Sequence, residues 1–346
     1  MRAARVISVV GCHAEGEVGD VIVGGVLPPA GRTLFEQMEC MRREHDHVRR
    51  LLLCEPRGSV ARHVNLLVPA VRDDCEIGAI IMEPTEYVPS SGSNLICIAT
   101  VLLETGIIAM REPETIVRIE VPGGPVRARA MCRDGKCVAV EIENVPAFVE
   151  RLDAALDVDG FGAVTVDVAY GGMFYALVDG TKLGFRVVAA EARELAVLGE
   201  RVRRAAREQL VVAHPENPAI RGVSIVQINR PFAGPGTENT NTCIVAPGRS
   251  DRSPTGTGTA ARMAVLSARG LMRPGDSIVH ASLIGSKFRG RILGETRVGD
   301  RPAILPSISG RAWITGLHQY MLDPDDPFPE GYRLNDTWGV TGEIAQ

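Results

Sequence analysis

Apolar positions in the first third of the chain fall in short runs separated by Gly, Pro and charged turns. Residues 5–10 and 21–26 predict strands on either side of a Gly/Glu turn, and 64–68 and 77–82 predict two more. Leu51-Leu52-Leu53 is expected as another short strand, and 31–48, rich in Glu, Met and Arg, as a helix. A longer apolar run at 95–104 follows Ser90-Ser91-Gly92-Ser93-Asn94 and ends at Gly106, which predicts a helix. Alternation at 115–121 and 126–132, turned at Pro122-Gly123-Gly124-Pro125, predicts a hairpin. The same order then recurs. Strands are expected at 137–144, 162–169 and 173–179, an amphipathic helix at 188–209, and strands at 222–228 and 241–246. A second helix follows at 260–268, stopped by Gly270, and strands return at 277–284, 288–294, 302–308 and 311–316. No sequence period accompanies the recurrence, so it is a duplication of architecture, not a repeat array. It predicts an α+β protein of two pseudo-symmetric, barrel-like halves, each a strongly curved sheet around a central helix. The boundary is placed near 131–133 and the return near Gly331. That gives 1–132 with 331–346 as the first half and 133–330 as the second, with Asp323-Pro324-Asp325-Asp326-Pro327 in the returning connection.

Both central helices open in the same way. Ser91-Gly92-Ser93 precedes the first and Thr255-Gly256-Thr257 the second, the latter within Asp251-Arg252-Ser253-Pro254-Thr255-Gly256-Thr257-Gly258-Thr259. A Gly-rich loop leaves the first backbone N–H groups of a helix unpaired, and these together with the helix dipole favour an anion. Two such ends facing one small carboxylate would place a hydroxyl side chain on each side of it. The alternative is that Ser91 and Thr255 are ordinary N-caps.

Charge and composition narrow the function. The 346 residues include 38 Lys and Arg against 42 Asp and Glu, a net charge of −4, so no basic excess is available for nucleic acid. Arg201, Arg203, Arg204 and Arg207 read as a solvated helix face. No run approaches the ~20 apolar residues that span a bilayer, and the N-terminal run breaks at Gly11, unlike a signal peptide. A cytoplasmic protein without nucleic-acid or membrane partners is expected. The eight cysteines include no Cys-x-x-Cys pair, so reduced thiols and no metal site are expected. No nucleotide-binding glycine fingerprint or Schiff-base lysine stands out, and cofactor-free chemistry follows.

The nine residues from Asp251 to Thr259 resemble the second active-site motif of the proline racemase family, usually written with Cys where Thr255 stands. Ser91-Gly92-Ser93-Asn94 is similar to the first motif, in which most members carry Cys-Gly-His-Gly. Cys12-His13-Ala14-Glu15-Gly16-Glu17, Glu55-Pro56-Arg57-Gly58, Ala169-Tyr170-Gly171-Gly172-Met173-Phe174-Tyr175 and Gly310-Arg311-Ala312-Trp313-Ile314-Thr315-Gly316 extend the resemblance over nearly the whole chain. It implies the fold shared with diaminopimelate epimerase, an active site in the cleft between the halves, a proline-type small-molecule substrate and, by analogy only, a homodimer.

The resemblance also assigns roles. Ser91 and Thr255 become the catalytic pair. Gly92, Ser93, Asp251, Gly256 and Thr257 become substrate-binding, with the glycine-loop N–H groups on the carboxylate and Asp251 on the substrate nitrogen. Family members with two cysteines move a proton from one face of Cα to the other. Thr at the second position resembles the trans-3-hydroxy-L-proline dehydratase branch. In that substrate the hydroxyl and the Cα proton share a face, so one competent group suffices to give Δ1-pyrroline-2-carboxylate. The main expectation is therefore a hydro-lyase with Ser91 as base and Thr255 as a polar wall. The alternatives are 4-hydroxyproline 2-epimerase or proline racemase, and a non-catalytic amino-acid-binding homologue. Serine is a poor base without a partner. His13, Glu15 and Glu17 are the candidates for that partner, and Met173 a candidate for shaping the pocket.

Overall fold

The structure, a computed structural model, describes residues 3–339. The chain divides into two compact units, Met1–Ile142 with Gly310–Trp338, and Glu143–Ser309. The first holds β1 (Arg5–Ala14), β2 (Glu17–Gly24), α1 (Leu34–Glu44), α2 (His47–Leu53), β3 (Arg62–Val68), β4 (Ile77–Met82), β5 (Tyr87–Val88), α3 (Gly92–Glu104), β6 (Glu114–Val121), β7 (Gly124–Arg133) and β8 (Lys136–Glu143). The second holds β9 (Ala147–Val158), β10 (Gly162–Tyr170), β11 (Phe174–Asp179), α4 (Ala192–Gln209), β12 (Ile225–Asn229), β13 (Glu238–Val245), β14 (Arg249–Ser250), α5 (Gly256–Ala268), β15 (Ser277–Ala281), β16 (Lys287–Val298) and β17 (Arg301–Gly310). β18 (Ala312–Leu322) pairs antiparallel with β1 and so belongs to the first unit.

The pairings show the duplication that the sequence pattern predicts. In the first unit β2 runs parallel to β3, β3 antiparallel to β4, β4 antiparallel to β5 and parallel to β6, and β6 antiparallel to β7. In the second, β11, β12, β13, β14, β15 and β16 repeat those relations in the same order. The parallel steps β4 to β6 and β13 to β15 each need a crossover, and the central helices α3 and α5 supply them.

α3 is buried from Gly92 to Leu103. Its run of Ile96, Ile98, Thr100 and Val101 has little intrinsic helix preference, but a helix apolar all round is stable where strands enclose it. α5 is buried on all but one position from Gly256 to Leu266. Both stop alike, at Gly106 and Gly270 with φ of 76° and 72°, a left-handed conformation that suits glycine at a helix end.

Four sequence expectations change. Leu51-Leu52-Leu53 is helical, the end of α2, because Val48, Leu51 and Leu52 share a helical face packed with Leu34, Met38 and Met41 of α1 over Val64, Leu66 and Ile80. A three-residue apolar run cannot separate strand from helix by itself. The helix expected at 31–48 is accordingly shorter, and α2 begins at His47. β9 has no counterpart among the expected strands, since charges at Glu150, Arg151, Asp153 and Asp157 mask its alternation. The last strand runs to Leu322, past the expected 316, with every second residue exposed.

The segment after β18 is pinned by the Glu55-Pro56-Arg57-Gly58 stretch. Arg57 pairs with Asp326 at 2.5 Å, the Tyr332 amide donates to the Glu55 carbonyl at 2.7 Å, and the buried Trp338 indole donates to the Glu55 carboxylate at 3.1 Å. Residues 340–346, the end of the expected return, lie outside the described residues.

Candidate active site

Ser91 and Thr255 occupy equivalent places: each is the N-cap of a buried central helix, and neither side chain makes a capping hydrogen bond. The ordinary-cap alternative therefore lacks the contact that defines it. The first intrahelical bonds are Leu95 N–H to Ser91 O and Thr259 N–H to Thr255 O, both 3.0 Å. By helix geometry the N–H groups of Gly92, Ser93 and Asn94, and of Gly256, Thr257 and Gly258, have no carbonyl four residues back within the helix. Ser93 and Thr257 are themselves buried, and the Thr257 hydroxyl lies 2.7 Å from the Tyr175 hydroxyl.

Ser91 has a partner after all. The Asn94 side-chain amide donates to Ser91 Oγ at 2.9 Å and also lies 3.1 Å from His63 Nδ1. Asn94 Oδ1 accepts from Asn65 Nδ2 at 2.9 Å, and the same nitrogen donates to the Asp20 carbonyl at 3.0 Å. His63 Nε2 is 3.5 Å from Glu17 Oε1. All of these side chains are buried. Of the three residues proposed from sequence, Glu17 thus reaches Ser91 through His63 and Asn94. His13 Nδ1 accepts the Gly16 amide at 3.2 Å and its ring stacks on Trp313 at 5.2 Å, while Glu15 occupies the turn with φ 50°. Gly19 leaves room for the network, since a Cβ there would fall 2.7 Å from Asn94 Oδ1.

Thr255 is held differently. Its hydroxyl donates to Asp251 Oδ2 at 2.6 Å, while Asp251 Oδ1 accepts the Ser253 amide at 2.8 Å and Ser253 Oγ accepts the Thr255 amide at 3.1 Å. Both Asp251 oxygens are engaged within their own loop, where the resemblance assigns Asp251 to the substrate nitrogen. Thr255 has φ 65° and ψ 115°, a conformation a β-branched residue adopts only when its surroundings impose it. The closed Asp251–Ser253–Thr255 loop imposes it here.

No cysteine stands at either N-cap. Cys97 lies inside α3 and Cys243 on β13, both fully buried, and burial pushes both thiols well above the ordinary range. Met173 is buried beside Gly171, whose amide donates to its carbonyl at 3.1 Å. A Cβ on Gly171 would lie 2.2 Å from the Thr257 carbonyl, so the Gly171-Gly172 turn packs directly on the first turn of α5. Among the described residues, Cys40, Glu44 and His45 form the one group of three or more His, Cys, Asp or Glu with ligand atoms within 4.8 Å of one another, as helical spacing at the end of α1 brings about.

His280 supports the Thr255 backbone. The Thr259 hydroxyl donates to the Thr255 carbonyl at 2.8 Å, so its oxygen accepts from His280 Nδ1 at 2.8 Å, which sets the neutral Nδ1–H tautomer. Burial, aided by Arg262, lowers the His280 pKa to about 3. A folded-state value below the unfolded one means that the unfolded chain binds more protons between the two. Stability is therefore full above the unfolded pKa near 6.5 and lost as pH falls toward 3. The expected slope from this residue is ~1.4 kcal/mol per pH unit below about 6.5. Urea titrations of wild type and His280→Phe at pH 7 and pH 5 check it: the gap between the two proteins should narrow at pH 5.

Comparison with known proteins identifies the family. The family model described as proline racemase matches residues 9–333. A hydroxyproline epimerase from Agrobacterium vitis, solved with bound trans-4-OH-L-proline, is 41% identical, covers 99% of this chain and 100% of its own, and superposes with a TM-score of 0.95. A probable proline racemase from Agrobacterium radiobacter K84, solved with bound carbonate, is 42% identical over 98% of this chain and 100% of its own, with a TM-score of 0.94. A Bacillus anthracis phenazine biosynthesis protein of the PhzF family, 10% identical over 92% of this chain and 100% of its own with a TM-score of 0.56, shares the fold alone. Among the described residues no helix is long and apolar enough to cross a membrane.

Proposed function

Because the chain belongs to the proline racemase family, we propose that it transfers protons at Cα of a proline derivative and inverts that centre, with a 4-hydroxyproline as substrate. The observation that carries the proposal is the pair of uncapped hydroxyls, each with its own polar partner: Asn94 for Ser91 and Asp251 for Thr255. The resemblance casts Thr255 as a passive wall, yet a hydroxyl 2.6 Å from a carboxylate is equipped to pass a proton. On its face, Thr255 Oγ1 takes the Cα proton as its own hydroxyl proton moves to Asp251 Oδ2. The electron pair delocalises into the substrate carboxylate, held by the N–H groups of Gly92, Ser93, Gly256 and Thr257. Ser91 gives its proton to the other face, and the resulting alkoxide accepts from Asn94. After product release, solvent returns the proton from Asp251 to the Ser91 alkoxide and restores the starting form; the reverse reaction retraces these steps. The similarity to a hydroxyproline epimerase that binds trans-4-OH-L-proline supports this choice of substrate.

Dehydration of trans-3-hydroxy-L-proline is the second reading, favoured by a hydroxyl at 255 where two-thiol relatives carry Cys. Proton NMR in D2O with trans-4-hydroxy-L-proline, trans-3-hydroxy-L-proline and L-proline in separate tubes separates the readings. Inversion with deuterium at Cα of the 4-hydroxy compound is the expected result. Loss of only the 3-hydroxy compound to a pyrroline carboxylate selects the dehydratase. Binding without exchange in any tube selects a non-catalytic homologue.

A further inference from the structure

A serine hydroxyl holds its proton too tightly to exchange it readily near neutral pH unless its environment favours the oxyanion. A hydrogen bond donated to a group's charged form lowers its pKa. At Ser91 that donor is Asn94 Nδ2, 2.9 Å away. Amide orientation is ordinarily a matter of choice, but here one backbone carbonyl settles it. Asp20 O can only accept, so the Asn65 group facing it is Nδ2. The same Nδ2 faces Asn94, so the Asn94 atom there is Oδ1. Asn94 Nδ2 therefore points at Ser91 Oγ and His63 Nδ1, with one hydrogen for each. His63 Nδ1 is then the acceptor, and its Nε2–H faces Glu17 Oε1. Turning Asn94 over would set donor against donor at Asn65 and leave His63 Nδ1 without its hydrogen.

We propose that Asn94 is a positioning residue for Ser91: clamped by Asn65 and His63, its amide N–H is held on Ser91 Oγ and stabilises the oxyanion form through which Ser91 exchanges its proton. The proposal rests on Ser91 being a proton-transfer group. It extends the site from Asn94, in the first motif, to Asn65 and His63 on β3, beyond the two glycine loops.

The test exchanges the hydroxyl for a thiol, whose ionisation is directly readable. In Ser91→Cys, the rate at which iodoacetamide alkylates the introduced thiol, located by mass spectrometry, is followed against pH with Asn94 in place and in the Ser91→Cys, Asn94→Leu double variant. The apparent thiol pKa is expected to rise by about one unit when the amide is removed, the equivalent of one lost hydrogen bond to the anion. In turnover measured above both apparent thiol pKa values, Asn94→Leu is expected to lower kcat by ~30-fold or more in the wild-type background but by less than ~3-fold in the Ser91→Cys background, because there the thiol is ionised with or without the amide. Asn65→Leu, which frees the Asn94 amide to turn, is expected to act in the same direction and serves if Asn94→Leu does not fold. Coincident alkylation curves, or an equal loss in both backgrounds, overturn the proposal and leave Asn94 a packing residue. A wild-type protein that exchanges no Cα proton defeats the functional reading instead, and the alkylation curves still decide whether Asn94 stabilises an anion at position 91.

Discussion

Ser91→Ala slows inversion of 4-hydroxyproline, and deuterium exchange of the epimer whose Cα proton faces Ser91, by ~10²–10⁴-fold, the range set by removing one positioned acid–base group. The size of the effect follows from what else the side chain does. Ser91 makes no cap bond, so helix α3 loses little by the change. Asn94 keeps its contact with His63 but loses the acceptor for its second hydrogen, a penalty of about 1–2 kcal/mol in a buried setting. An ordinary N-cap would cost a similar ~1 kcal/mol of stability but leave exchange unchanged, so exchange is what separates the two roles. Exchange measured by NMR therefore decides the role, and exchange of the epimer whose proton faces Ser91 within about threefold of wild type would remove Ser91 from the chemistry. KM should move little, because carboxylate binding is assigned to backbone N–H groups that alanine retains.

What the sequence reveals of this site depends on separation along the chain. Thr255 and its carboxylate are four residues apart in one loop, and Ser91 and Asn94 three apart in another, so both loops are visible as motifs. The partners that orient Asn94 are not. Asn65 and His63 lie 29 and 31 residues upstream on β3, and only the parallel pairing of β2 with β3 brings them, with Asp20 and Glu17, toward the first turn of α3. A histidine and an asparagine in Arg62-His63-Val64-Asn65-Leu66 look like the polar half of an alternating strand, yet both are fully buried. The available signal is Asn94 itself, a buried amide in the first turn of a largely apolar helix, since buried amides are paired. The order of strands and central helices is legible for a related reason. Local periodicity and Gly stops fix each element, whereas β9 escapes because its exposed face carries enough charge to hide the alternation.

Thr255→Val separates inversion from elimination more sharply than any other single change. Valine keeps the β-branch and the volume, so the positive φ is equally unfavourable in both proteins and the comparison isolates the hydroxyl. The lost bond to Asp251 is charge-assisted and buried, which costs about 1.5–3 kcal/mol of stability. Activity divides by face. If Thr255 and Asp251 pass the proton on one side of Cα, inversion falls by ~10²–10³-fold, while Ser91 still washes deuterium into one epimer without inverting it. The other epimer, whose proton lies on the Thr255 side, stops exchanging. If the chain is instead a dehydratase with Ser91 acting alone, turnover of trans-3-hydroxy-L-proline stays within about threefold of wild type, because elimination on one face asks nothing of residue 255. Exchange in both epimers of Thr255→Val at wild-type rates would show that Asp251 and Thr255 only shape their loop. The decision rests on the asymmetry between epimers, which a general loss of folded protein cannot imitate.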